Sequence, residues 1–407
     1  MLPVQRFSRR TLLAGVGATA ALSACSTPTS GSADAESGVA TAGGGAVSPL
    51  VGLRMPDEGE KHTATWMAFA ASPEIWGRDL SEPVLESLAL ISATIVDFEP
   101  VRILVPSRFR SQAGRLLDKR VEIIYHEADD LWMRDTGPTF VQSAQAPGLR
   151  GIDFNFNGWG GKQAHDLDAK VAAAVCAAAS VPRERTELVI EGGALEVDGA
   201  GTAIITRSCV LNDNRNPGWT QEQVEAELAK LLGLRKIIWL PGIAGRDITD
   251  GHTDFYARFA GPGVVVAGRD DDPESFDYEV TRTHLEILNE ATDADGKPLR
   301  IEVLPAPVDI REEYAGDDFA AGYINFYVCN GAVIAPQFGD AKADGRAREL
   351  LTELSFPGVR SCNSISTRSP RVGAASTAPP SSSPSRHERA ARGRRGGRTR
   401  RAAAVPR

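Results

Sequence analysis

The chain has 407 residues, 42% apolar and 24% charged, enough to bury a large core and too ordinary a composition for a disordered or fibrous protein. Five cysteines, Cys25, Cys176, Cys209, Cys329 and Cys362, show neither paired spacing nor Cys-x-x-Cys clustering, so neither a disulfide framework nor a structural zinc site is signalled. The formal net charge of −8 hides an asymmetry: residues 359–407 hold twelve Arg and one Glu, about +11, leaving about −19 on the rest. An acidic body suits cationic substrates and argues against nucleic acid as a partner of residues 50–358.

The chain starts with Arg6-Phe7-Ser8-Arg9-Arg10-Thr11-Leu12-Leu13, a twin-arginine n-region, followed by an apolar run through Leu22 that is too short to span a bilayer. That run ends in Leu22-Ser23-Ala24-Cys25, which resembles the lipobox of bacterial lipoproteins and makes Cys25 the expected lipid anchor. Residues 1–25 are therefore expected to be a twin-arginine export signal that delivers the protein to the cell envelope, anchored to the membrane only through Cys25. Residues 26–52, rich in Ser, Thr, Gly and Ala, read as a flexible linker.

Beyond Leu53, short apolar runs alternate with helical patterns. Strands are expected over Thr65–Phe69, Val101–Val105 and Val121–Tyr125, with helices over Glu82–Val96 and Phe109–Leu117 between them. The unit recurs. Ile152–Phe156 and Leu188–Ile190 bracket a helix at Leu167–Ala179, and Ala203–Thr206 and Lys236–Leu240 bracket one at Gln221–Leu232. Val264–Ala267 and Ile301–Val303 bracket a third at Phe276–Glu290, before a hairpin of Tyr323–Cys329 and Ala332–Pro336 turned at Asn330-Gly331. The expectation is one α/β domain of repeated strand-helix units over residues 53–358, followed by a disordered tail, 359–407.

The chemistry concentrates in Asp250-Gly251-His252-Thr253-Asp254. In an extended segment the side-chain period of two would put Asp250, His252 and Asp254 on one face and Thr253 on the other. Two further stretches, Trp132-Met133-Arg134-Asp135-Thr136-Gly137-Pro138 and Ile190-Glu191-Gly192-Gly193-Ala194, each set one acid beside turn residues at a strand end. A rival reading makes the same His and acids metal ligands. The six histidines, His62, His126, His165, His252, His284 and His387, contain no His-x-His or His-x-x-x-His pair, so no metal and no cofactor is expected.

These stretches, with Met55-Pro56, Ala64-Thr65-Trp66-Met67, Asp153 to Lys162 and Tyr323-Ile324-Asn325-Phe326-Tyr327, resemble the agmatine deiminase family of the guanidino-group-modifying superfamily, to which arginine and peptidylarginine deiminases also belong. The resemblance runs from Met55 to Gly358. It implies a pseudo-five-fold α/β propeller, and a hydrolase that converts a guanidinium to a ureido group and ammonia, as in putrescine synthesis. It also implies site residues. Carboxylates in the plane of a guanidinium bind its fixed fork of N–H donors with charge-assisted bonds, a role that fits Asp135 and Asp254. His252, oriented by Glu191, fits the acid and base, and Trp132 fits a wall stacked on the ligand. The partner so implied is a small cationic guanidine.

The chain departs from the family at its end, since the family's nucleophilic cysteine follows a Gly-Gly-Gly-Gly-Ile-His-Cys run that is missing here. Writing Arg371 to Ala378 as CGG GTG GGG GCG GCA TCC ACT GCA and regrouping from the third base gives that run, and Pro379 to Pro384 regroup to Thr-Thr-Gln-Gln-Gln-Pro. A reading-frame shift soon after Gly358 is inferred, which leaves the propeller incomplete at its C-terminal end and no nucleophile in the chain. Cys362 lies in the shifted text and is not a substitute. The alternative is a catalytically silent, exported protein that still binds guanidinium between Asp135 and Asp254.

Overall fold

The structure, a computed structural model, describes residues 52–143, 148–308, 321–354, 356 and a strand over 364–367. The export signal with Cys25, most of the linker, and Cys362 lie outside the described residues. In chain order the strands are β1 (Leu53–Arg54), β2 (Thr65–Ala68), β3 (Val101–Val105), β4 (Glu122–Tyr125), β5 (Thr139–Ser143), β6 (Gly148–Asp153), β7 (Arg183–Arg185) and β8 (Leu195–Val197). They continue as β9 (Thr202–Thr206), β10 (Lys236–Leu240), β11 (Ala257–Gly261), β12 (Val264–Arg269), β13 (Arg300–Pro305), β14 (Tyr327–Cys329), β15 (Ala332–Pro336) and β16 (Ser364–Thr367).

These strands form five small sheets, β2-β3-β4, β1-β5-β6-β7, β10-β9-β8, β11-β12-β13 and β14-β15-β16. Four share one plan: an antiparallel pair, a helical crossover, then a strand parallel to the second. The β2-β3-β4 sheet is parallel throughout. Each parallel step needs a crossover, and amphipathic helices supply them. Arg78–Ile95 buries Val84, Leu85, Leu88, Ile91 and Ile95, one stripe at helical spacing. Gln221–Leu232 starts at a Thr220–Gln223 capping box, ends at Gly233 in the left-handed conformation (φ 71°), and buries Val224, Leu228, Leu231 and Leu232. The mixed α/β architecture expected from the sequence is therefore observed, with four larger apolar clusters between the elements.

Three expectations are corrected. Leu188–Ile190 is not a strand: the ladder position beside β6 is taken by Arg183–Arg185, and the buried Leu188 and Ile190 carry the chain toward Glu191 instead. Their apolar pattern reports core burial and not pairing. The fifth sheet is not left without its third strand, because Ser364–Thr367 pairs in parallel with Val333–Pro336 inside the segment expected to lack structure. Finally, Asp250 to Asp254 is not extended. Asp250 and Gly251 both have positive φ (61° and 85°), and Thr253–Phe255 is a single 3-10 turn. The common face of Asp250, His252 and Asp254 is lost.

Three short helical turns occupy equivalent places in successive units. Met133–Thr136 precedes β5, Gly192–Ala194 precedes β8, and Thr253–Phe255 precedes β11. Each leads into the first strand of an antiparallel pair, where the sequence placed the acids at strand ends. Repetition of one unit thus brings three chemically different turns to the same kind of position.

Candidate active site

Beneath these turns lies a buried ion cluster that fixes their backbones. Arg258, on β11, donates from Nε to Glu196 Oε2 (2.8 Å) and from NH1 to the Phe326 carbonyl (2.7 Å), and its NH2 lies 2.8 Å from Glu58 Oε1. Arg134, next to Asp135, pairs with Glu58, which also accepts from the Val328 amide at 3.0 Å. Burial alone would raise Glu58, but the two guanidiniums bring it down to about 2. Glu196 goes the other way, to about 7, because burial and the neighbouring Glu58 outweigh Arg258. Five sequence-distant segments are tied together by two carboxylates and two guanidiniums.

The site itself sits on the turns. Asp135 Oδ1 accepts from the Gly193 amide at 3.0 Å and Asp135 Oδ2 from the Trp159 indole at 3.1 Å. His252, fully buried, places Nε2 3.0 Å from Glu191 Oε2 and Nδ1 3.9 Å from Asp135 Oδ1 and 4.0 Å from Asp254 Oδ1. That Nδ1 has no hydrogen-bond partner among the described residues. Gly193 explains the space: a Cβ there would lie 2.5 Å from His252 Nδ1, 2.7 Å from Asp254 Oδ2 and 2.9 Å from Asp135 Oδ1. Any side chain would fill the point on which the three groups converge. The residues expected from the sequence, Asp135, Glu191, His252 and Asp254, are thus brought together.

Electrostatics match the geometry. Burial would lower His252, yet Asp135, Glu191 and Asp254 together raise its pKa above the usual imidazole value. Glu191 is pulled down to about 2 against its own burial by Arg215 and His252. Asp250 is the expected residue that lies elsewhere. Its Oδ2 binds Arg215 NH1 (2.8 Å), Asn214 Nδ2 (2.9 Å) and Lys162 Nζ (2.6 Å), away from the Nδ1 pocket. Trp132 is half-buried, donates to Asp130 Oδ2 at 2.9 Å and stacks on Trp76, with centroids 6.0 Å apart. It also packs against the small apolar cluster of Phe156, Trp159 and Ile248.

Sequence reading missed Arg215, Cys209 and Trp159. Arg215 donates from Nε to both Glu191 oxygens, at 2.9 and 3.0 Å, and is buried with it. The signal was present in Asn212-Asp213-Asn214-Arg215-Asn216-Pro217, a turn-rich run with one cation at its centre. Trp159 is a bulky residue at positive φ (55°), held there while its indole reaches Asp135, and only the glycines around it hinted at such a backbone.

The three described cysteines, Cys176, Cys209 and Cys329, are buried free thiols. Burial pushes each thiol up, Cys176 to about 11 and the other two well above their ordinary value. Cys209 donates to Glu191 Oε2 at 3.5 Å. Glu191, Cys209 and His252 each offer one ligand atom within 4.8 Å of the others, so a metal has to be considered. The donor set does not fit one: Arg215 covers both Glu191 oxygens with a permanent positive charge, and the thiol resists the deprotonation that ligation needs.

Repeated α/β units and a buried set of carboxylates facing an imidazole suit an enzyme that handles a cation and moves protons. Comparison with known proteins gives the class, a hydrolase acting on guanidino C–N bonds. Residues 54–366 match the model of the Porphyromonas-type peptidyl-arginine deiminase family. The agmatine deiminase of Stutzerimonas stutzeri is 37% identical over 332 residues, covering 75% of this chain and 88% of that protein. The agmatine deiminase of Enterococcus faecalis superimposes with a TM-score of 0.71 at 32% identity, over 78% of this chain and 91% of that one. A C. jejuni agmatine deiminase with substrate bound gives 0.66 at 25% identity, over 77% and 90%. The chain belongs to the agmatine deiminase family.

Proposed function

We propose that this chain carries the site of a deiminase that hydrolyses agmatine, or a related arginine-type guanidine, to a ureido product and ammonia. The observation that carries the reading is the convergence of Asp135, Asp254 and His252 Nδ1 on the point that Gly193 leaves open. Asp135 and Asp254 would hold the planar cation, and Trp132 would wall its approach. A thiol gives its proton to His252 and adds as the thiolate to the guanidinium carbon, the C–N bond breaks, and ammonia leaves with that proton. Water, deprotonated by the same imidazole, then displaces the thiolate and yields the ureido group. Glu191 orients the ring through Nε2. The relatives named above are agmatine deiminases, one of them with substrate in place, which favours a small guanidine over a peptidyl one. The five small sheets, four of them on one shared plan, support the reading as a five-fold pseudo-symmetric propeller.

None of the described cysteines is equipped to be that thiolate, which supports the frame-shift reading of the C-terminal segment and favours a silent guanidinium-binding protein as the second reading. One experiment separates them. A frame-restored protein should release ammonia from agmatine, and its Cys-to-Ala variant and the 407-residue chain should not. Equal release by the restored protein and its variant would sink the thiolate mechanism.

Export to the envelope by the twin-arginine route, with lipidation of Cys25, is part of the same proposal and rests on Arg9-Arg10 and Leu22 to Cys25. Arg9→Lys with Arg10→Lys should hold the precursor in the cytoplasm; envelope delivery of that variant would show the signal to be misread.

A further inference from the structure

Arg215 has no part in the chemistry described so far, yet it is the most completely engaged cation near it. Its Nε bonds both oxygens of Glu191, its NH1 bonds Asp250 Oδ2 (2.8 Å) and Asn214 Oδ1 (2.9 Å), and its NH2 bonds the Thr249 carbonyl (3.0 Å). The loop that carries it is pinned on both sides. Asn216 exchanges bonds with Val189, two residues before Glu191, donating to its carbonyl at 2.7 Å and accepting from its amide at 2.9 Å. Thr249, whose carbonyl Arg215 holds, takes the His252 amide on its hydroxyl at 3.0 Å. One guanidinium therefore reaches Glu191 directly and the backbone of His252 through one intermediate.

The charges alternate outward from the pocket. Asp135 and Asp254 face His252, His252 faces Glu191, Glu191 faces Arg215, Arg215 faces Asp250, and Asp250 faces Lys162. Cys209 is the remaining titratable group in contact, a neutral thiol on Glu191. A buried Glu191 with His252 as its sole cationic partner would hold the imidazolium as its counter-ion, and an imidazole trapped in that way cannot act as a base. A guanidinium never gives up its proton, so with Arg215 on both carboxylate oxygens Glu191 is compensated whatever the state of the ring.

We propose that Arg215 is a positioning residue of the deiminase reaction: it fixes Glu191 against His252 and serves as its permanent counter-cation, leaving the imidazole able to release its proton. This inference rests on the proposed function for its meaning but not for its test. The test follows the His252 proton in the full chain labelled with nitrogen-15 histidine, its resonances identified by their loss in His252→Gln. Arg215→Gln removes the competing cation and should raise the His252 pKa by about one unit or more, a tenfold gain in proton affinity. Arg215→Lys, which keeps the charge, should return most of that shift. Asp250→Asn leaves the charge of Arg215 less compensated and should shift His252 downward.

A merely structural Arg215 would lower thermal stability and move His252 toward its free value, not above the wild type. An unchanged or lowered pKa in Arg215→Gln overturns the proposal. Where Arg215→Gln does not fold, Arg215→Lys and Asp250→Asn decide, since an upward shift in Asp250→Asn, or a large upward one in Arg215→Lys, overturns it equally. Failure of the wild-type chain to bind agmatine while these shifts hold would sink the deiminase reading and leave the role of Arg215 standing.

Discussion

Two buried charge clusters lie side by side in this molecule, and they are built on opposite rules. In the lower one, Glu58 and Glu196 meet Arg134 and Arg258, two negative charges against two positive, and Arg258 spends all three of its nitrogens on Glu196, Phe326 and Glu58. In the upper one, Asp135, Asp254 and Glu191 face an imidazole whose Nδ1 has no partner among the described residues, Arg215 pairs with Glu191, and the charge of Arg258 reaches Asp254. In the first cluster the charges balance two against two, and it ties the fold together. The second keeps an open point above Gly193 beside the unpartnered Nδ1 of His252, and in the proposed reading a guanidinium fills it. A planar cation has the right charge and the right donors.

The comparison breaks most readily at its charge-balanced end. Arg258→Met leaves Glu58 and Glu196 buried without their shared guanidinium, and a stability loss of about 3–5 kcal/mol is the expected scale, read from the urea midpoint. A midpoint shift within the scatter of surface substitutions would mean the lower cluster is not what holds the turns. At the open end the effect should fall on the ligand. Asp254→Asn removes one carboxylate that faces the cation, so agmatine binding by calorimetry should weaken by about 3–5 kcal/mol while stability changes far less. Equal loss in both quantities would erase the distinction between the clusters.

How much of this was legible beforehand follows from what each feature depends on. The strand-helix alternation was readable because Val84, Leu85, Leu88 and Ile95 repeat at helical spacing and Thr220 with Gln223 announces a cap, both local signals. Asp135, Glu191, His252 and Asp254 were readable as types because each stands beside glycine or turn residues. Their convergence was not, since it depends on three turns occupying equivalent places in three sheets. Asp250 was misplaced because a period of two presumes extended backbone, and the positive φ of Asp250 and Gly251 turns its carboxylate toward Lys162 and Arg215. Leu188 and Ile190 were misassigned because burial and pairing leave the same apolar mark. Ser364–Thr367 was overlooked because its composition is that of a disordered tail, while its backbone pairs along β15 regardless of side chain.

The smallest effect sharpens the comparison furthest. Neighbouring carboxylates hold the His252 pKa above its ordinary value despite complete burial, so below that raised value the imidazolium is itself the provisional cation of the upper cluster. An incoming guanidinium competes with it for Asp135 and Asp254. Binding agmatine should therefore displace a proton from His252, and affinity should rise as pH rises toward the folded pKa of His252 and level off above it. His252→Asn removes that competitor without touching either carboxylate. Its effect on affinity at high pH should stay below about 1 kcal/mol, the scale of one ordinary hydrogen bond. Its effect on the shape should be total, with the dissociation constant flat where the wild type slopes. The same linkage fixes the sign for stability: the contribution of a raised imidazole is fully present below its unfolded value near 6.5 and is lost as pH rises through the folded one. Titrating agmatine into both proteins across that range measures the competition directly. A slope that survives in His252→Asn would assign the proton to another group and leave the imidazole a spectator to binding.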